Sequence, residues 1–141
     1  MDLSLSGKHA LVCGASEGIG RAAAWALAEQ GASVTVLARR ESVLSELVAA
    51  LSRTHPDQAH AYLVADMSNR TALKQVLDNH VAKGPVHILV NNTAGPPGGT
   101  AHAAAPEAYL SVFEQHLIAN QILLQAVLPG MKSAGWGRIV N

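Results

Sequence analysis

The chain has 141 residues, 49% hydrophobic, 14% charged and 4% aromatic, and its ten basic and ten acidic side chains cancel. A neutral chain has no electrostatic footprint for nucleic acid or an anionic membrane, an apolar fraction near half is too high for disorder, and no apolar run approaches the ~18 residues of a membrane span. One cysteine excludes a disulfide framework, and no C-x-x-C or H-E-x-x-H spacing occurs, so no metal site is expected.

Met1-Asp2-Leu3-Ser4 lacks the basic-then-apolar pattern of a signal peptide, and a cytoplasmic setting is expected. The length suits one domain with a real core. Along it, two kinds of segment alternate. Residues 8–13 form a short apolar run that ends at a glycine-rich turn, a first strand. Residues 19–30 are Ala-rich with a helical apolar period, and Gly31 is a plausible stop. Residues 33–38 are β-branched and brief, a buried strand. From Glu41 to about residue 54, Val43, Leu44, Leu47, Val48 and Leu51 share a helical stripe. Residues 60–65 read as a third strand. Residues 69–82 read as a helix capped by Ser68 or Asn69. Residues 86–90 are a fourth strand, followed by a Pro- and Gly-rich loop over 95–100. Pro106 suits the first turn of a long helix to about residue 128, which Pro129 and Gly130 are expected to close. Residues 138–140 begin a fifth strand.

Strands alternating with helices, and strands that are almost continuously apolar, predict an α/β fold: a parallel sheet covered on both faces. Right-handed crossovers give the doubly wound Rossmann order 3-2-1-4-5. Ligands of such sheets sit beyond the carboxyl ends of the strands, near the switch between strands 1 and 4. The unusual residues of this chain fall there.

The first strand ends in Cys13-Gly14-Ala15-Ser16-Glu17-Gly18-Ile19-Gly20. Glycines at these spacings permit a tight turn and close approach of the backbone to a phosphate. The helix that follows aims its free N–H groups and positive end at an anion. Ser16 adds a hydroxyl donor. The alternative is a strand-to-helix turn with no ligand. At the end of the second strand stand Ala38-Arg39-Arg40, where an NAD site usually places an acid and an arginine accommodates a 2′-phosphate. These residues favour NADP(H), with NAD(H) as the alternative; against it, the arginines are solvated loop charges that pair with Glu41. Asp66-Met67 ends the third strand, where Asp66 can accept from an adenine amino group or, alternatively, form an Asx-turn before the next helix. Asn91-Asn92-Thr93-Ala94-Gly95 ends the fourth. Buried amides need partners, and two of them at the switch exceed what a turn requires.

These residues together resemble the classical short-chain dehydrogenase/reductase family. Gly14-x-x-x-Gly18-x-Gly20, Asp66, Asn91-Asn92, Asn120 and Gly137-Arg138-Ile139-Val140-Asn141 appear in the family's order and spacing over the whole chain, with a flavour similar to 3-oxoacyl-(acyl-carrier-protein) reductase-like members. The resemblance implies that Gly14, Ser16, Gly18, Ile19 and Gly20, with Glu17 among them, line the pyrophosphate and riboses. It implies that Arg39 and Arg40 hold the 2′-phosphate, that Asp66 and Met67 contact adenine, and that Asn92, Thr93 and Ala94 sit beside the adenosine ribose. Asn120 is implied as the helix asparagine of the catalytic tetrad, its main chain binding a relay water at a kink. The implied reaction is hydride transfer between the nicotinamide and a small carbonyl or alcohol substrate, in a homo-oligomer, dimer or tetramer, with no nucleic acid or membrane partner.

Three departures qualify the pattern. Cys13 stands where the family usually has threonine, which removes a side-chain brace between the turn and the fourth strand. Thr93-Ala94 replaces the usual Ala-Gly. Glu17 occupies a place where NADP-preferring members often carry a base, and its carboxylate would repel a 2′-phosphate. The serine and the Tyr-x-x-x-Lys pair that the family uses are expected beyond residue 141, so the 141 residues alone are expected to be inactive and to form the N-terminal, NADP(H)-binding part of the domain, cut in its fifth strand. Neither tyrosine substitutes: Tyr62 and Tyr109 have no lysine four residues on. The competing readings are a non-catalytic fragment that binds a dinucleotide or a partner chain, and a different Rossmann protein such as a methyltransferase.

Overall fold

In the computed structural model, which describes residues 3–93, 95 and 98–141, five strands form one parallel sheet. They are β1 (His9–Cys13), β2 (Ser33–Ala38), β3 (Ala61–Val64), β4 (Ile88–Val90) and β5 (Arg138–Val140), in the order β3-β2-β1-β4-β5. This is the doubly wound order that the alternating pattern requires. The helices are α1 (Gly18–Glu29), α2 (Glu41–Thr54), α3 (Arg70–Val81), α4 (Pro106–Phe113) and α5 (Ala119–Ser133).

Side chains alternate across β1 and build a core on each side of the sheet. Ala10 and Val12 join Val34, Val36, Leu44, Leu47 and Leu51 under α1 and α2. Leu11 and Cys13 join Leu37, Leu73, Leu77, Leu89, Leu123 and Val127 under α3 and α5. Both sides of β1 are therefore dry, which is why its sequence is apolar without a polar alternation. Asn69 caps α3 by accepting from the Ala72 N–H.

The long helix differs from its sequence reading in two ways. It does not close at Pro129 and Gly130 but runs on to Ser133. Val127 and Met131 are buried against the α3 side of the core, and the ladder resumes with Ala134 N–H donating to Gly130 O at 2.9 Å. This packing holds the last turn despite the donor that proline lacks. The helix is also interrupted: Glu114–Ile118 form a π-helical turn, with the Ala119 N–H reaching back to Glu114 O. Such turns insert one residue into the ladder and are frequent at functional sites.

Histidines crowd the opposite end of the sheet from the glycine turn. His9 Nε2 lies 2.7 Å from Thr35 Oγ1, its ring stands 5.0 Å from that of His80, and its backbone N–H donates to His87 Nδ1 at 3.1 Å. His60 Nδ1 accepts from the Val34 N–H at 3.1 Å. Burial, then His80 and His87, push His9 down to about 4. Burial leads the lowering at His60, His80 and His87, aided by His55, Lys83 and Lys8 respectively. Between pH 4 and 6.5 the unfolded chain then binds more protons than the folded one, so stability rises with pH across that window. The melting temperature is expected to be flat above pH 7 and to fall steadily from pH 6.5 to 4. His9→Gln is expected to flatten that slope. A melting temperature independent of pH over the window would show that these rings do not stay neutral in the fold.

Candidate functional site

Above the carboxyl ends of β1, β2, β3 and β4 lies a cleft of about 770 Å³. The sequence that builds its floor is the turn between β1 and α1. Gly14 takes φ +60°, and a Cβ there would stand 2.5 Å from the Asn92 carbonyl oxygen. Gly20 has an ordinary helical backbone, but its Cβ would stand 2.3 Å from Gly14 O. The helix start is thus pressed onto the strand end, and only hydrogen atoms fit between them. At Gly18 a Cβ would meet open space. Glu17 precedes α1 without forming a side-chain cap, so the first-turn N–H groups keep their capacity for a ligand.

The two asparagines at the end of β4 divide their work. Asn92 turns toward β1 and donates through Nδ2 to Gly14 O at 3.3 Å and to Cys13 O at 3.4 Å. Asn91 turns toward β5 and donates to Asn141 Oδ1 at 2.7 Å, while its N–H donates to Val140 O. The brace expected from a threonine at position 13 is therefore supplied from the opposite strand. Cys13 is fully buried, and burial pushes its thiol up to about 12. The side-chain NH2 groups of both asparagines thus bond groups at the neighbouring strand ends, while Asn91 Oδ1 is buried with no partner among the described residues.

The wall beyond β2 carries the two arginines. Arg40 pairs with Glu17 at 3.0 Å and donates to Ser16 Oγ at 3.2 Å, joining the end of β2 to the glycine turn. It does not pair with Glu41, which accepts from the Tyr62 hydroxyl instead. Arg39 forms no ion pair among the described residues, and its charge is felt at Asp66. Asp66 accepts the N–H and the hydroxyl of Ser68, both on Oδ1, at 2.9 and 2.7 Å. These two bonds, with the Arg39 charge behind them, hold the carboxyl below its usual range against a smaller effect of burial. The Asx-turn is real, and it leaves Oδ2 uncommitted.

The cleft brings together Gly14, Ser16, Glu17, Gly18, Arg39, Arg40, Asp66, Met67, Asn92 and Thr93, and also Ile19, whose large apolar side chain is 79% exposed. Gly20 lies beneath the turn rather than on the lining. Ala94 lies outside the described residues. Asn120 is not on the lining. It stands in the first turn of α5 just after the π turn, with its Oδ1 buried and without a partner among the described residues. Two residues that sequence reasoning missed come from the π turn. Gln115 lines the cleft, and His116 Nδ1 lies 2.8 Å from Thr93 Oγ1. No local pattern marks them, because the π turn that re-aims them has no sequence signature.

The donor set suits a dinucleotide. Backbone N–H groups and a helix start face one end, two guanidinium groups lie beside it, and a carboxylate with a thioether lies past them. No helix among the described residues is long and apolar enough to cross a membrane, and no group of three metal-ligating side chains occurs among them.

Comparison with known proteins agrees with this geometry. The family model for short chain dehydrogenases matches residues 8–141. The chain is 34% identical over 139 residues to the ketoacyl reductase HetN of Nostoc sp., covering 98% of this chain and 48% of that protein. It is 35% identical over 142 residues to L-xylulose reductase of Cavia porcellus, covering 100% and 54%. Among solved structures, L-sorbose reductase from Gluconobacter frateurii complexed with NADPH and L-sorbose superposes with a TM-score of 0.90 at 30% identity, covering 99% of this chain and 53% of that one. A 3-oxoacyl (acyl-carrier-protein) reductase from Agrobacterium tumefaciens with NADP bound gives 0.87 at 29%, covering 98% and 53%. The chain spans about half the length of the curated relatives it matches.

Proposed function

The chain belongs to the short-chain dehydrogenase family, and on that premise we propose that it forms the cofactor half of an NADP(H)-dependent oxidoreductase acting on a carbonyl or alcohol substrate. The carrying observation is the pair of guanidinium groups at the end of β2, lining one cleft with a glycine turn at the start of α1. The NADPH and NADP in the structural neighbours support the same reading.

In this reading the turn from Gly14 to Gly20 binds the pyrophosphate through its N–H groups, with Ser16 and Ile19 beside the riboses. Arg39 and Arg40 take the 2′-phosphate as charge-assisted donors. Asp66 Oδ2 accepts from the adenine amino group while Oδ1 stays on Ser68, and Met67 packs on the ring. Thr93, held by His116, orients the β4 end beside the ribose. Asn92 keeps the turn in shape rather than bonding the ligand through its amide. Asn120 offers its main chain to a relay water next to the π turn, where the helical ladder is already broken. When bound, the cofactor supplies or accepts a hydride at the substrate carbon. The serine, tyrosine and lysine of the family's proton transfer belong, in this proposal, to sequence beyond residue 141.

The test is fluorescence titration of the intact protein with NADPH and NADH, paired with NADPH oxidation over a panel of small ketones and aldehydes. Tighter binding of NADPH and turnover of at least one carbonyl are expected. Binding without turnover of any carbonyl would favour a non-catalytic dinucleotide-binding module, and no binding of either dinucleotide would remove the proposal.

A further inference from the structure

Glu17 and Arg40 lie 23 residues apart in the chain, yet they meet at 3.0 Å, and Ser16 Oγ accepts from the same guanidinium at 3.2 Å. The contact bridges the glycine turn and the end of β2, and all three residues line the cleft. If the cleft takes a dinucleotide phosphorylated on its 2′-oxygen, as proposed above, one of its two cations is already held by an anion of the protein itself.

We propose that the Glu17 carboxylate is an internal competitor for the 2′-phosphate, occupying Arg40 and so setting how strongly the site prefers a phosphorylated dinucleotide over a plain one. The physics of the pair suits this role. Its side chains are 80% and 53% exposed, so water screens the attraction and the pair is weak. A phosphate monoester brings a larger charge and three acceptor oxygens. It can take the guanidinium, but it must first release it from Glu17 and then sit near the displaced carboxylate. A dinucleotide without the 2′-phosphate has no claim on Arg40 and is indifferent to Glu17. The residue therefore acts on selectivity rather than on affinity in general, and Arg39, which forms no ion pair among the described residues and acts on the Asp66 carboxylate only through its charge, is the more available cation.

Titration of the intact protein with NADPH and NADH tests this, in the parent, Glu17→Gln, Arg40→Ala and the double variant. Glu17→Gln is expected to tighten NADPH about fivefold, the upper end of what an exposed ion pair is worth, and to leave NADH within about 1.5-fold. In the Arg40→Ala background the same change is expected to matter less than about twofold, because the contested cation is gone. Equal tightening of both dinucleotides, no tightening of NADPH, or an undiminished gain without Arg40 would each overturn the proposal. Failure of the site itself reads differently: the parent then binds neither dinucleotide, or binds both equally and ignores Arg39→Ala. With a parent that prefers NADPH and loses that preference on Arg39→Ala, a silent Glu17→Gln removes the competitor alone.

Discussion

Arg39→Ala is expected to weaken NADPH binding by roughly 10- to 100-fold, the range of one lost hydrogen-bonded charge, and to leave NADH within about twofold. Arg39 follows β2 at the rim of the cleft and has no ion pair among the described residues, whereas Arg40 is engaged by Glu17 and Ser16. The two arginines are neighbours in sequence but unequal in availability, so Arg40→Ala is expected to cost NADPH less than Arg39→Ala does. A dinucleotide preference in the parent that survives Arg39→Ala would move the phosphate contact elsewhere. The same substitution has a second readout. Arg39 helps hold the Asp66 carboxyl low, so the Asp66 titration followed by NMR should move upward in the variant. That shift is expected to be modest, because the two Ser68 bonds are the larger cause and remain in place.

The sheet order was legible because it follows from few rules. Short apolar strands separated by amphipathic helices leave one doubly wound solution, and the glycine spacing marks which strand comes first at the switch. Arg39, Asp66 and Thr93 were legible for the same reason, since each sits one to three residues past a strand end. What the sequence hid is long-range or cooperative. The Glu17–Arg40 contact joins side chains that no local window compares. The bonds from Asn92 to the backbone of the glycine turn are likewise long-range, joining the end of β4 to the end of β1. The π turn at Glu114–Ile118 was hidden for a different reason: its residues carry an ordinary helical pattern, and its contacts are long-range, with His116 on Thr93 and Glu114 paired with Arg70 at 2.7 Å. Pro129 misled because propensity disfavours it inside a helix, while burial of Val127 and Met131 on either side decides the outcome.

Gly20→Ala is expected to be more damaging than Gly18→Ala, lowering stability by about 2–4 kcal/mol and weakening both dinucleotides by more than about tenfold. The reason is space, not backbone conformation. The added Cβ would stand 2.3 Å from Gly14 O and 2.9 Å from Asn92 Nδ2. Neither neighbour can withdraw: the Gly14 carbonyl accepts from Asn92, and Gly14 itself is pressed against the Asn92 backbone. The first turn of α1 must then lift from the end of β1 and carry its N–H groups out of aim. Gly18 provides the contrast. It needs φ +57°, so alanine there is strained by about 1–2 kcal/mol, but its Cβ would meet open space and the brace below would hold. Gly18→Ala should therefore cost less stability than Gly20→Ala, although only Gly18 has the left-handed backbone. Paired thermal melts of the two variants decide between packing and conformation as the main demand on this turn, and a larger loss at Gly18 would mean that α1 does not lie as tightly on β1 as the Gly20 contact requires.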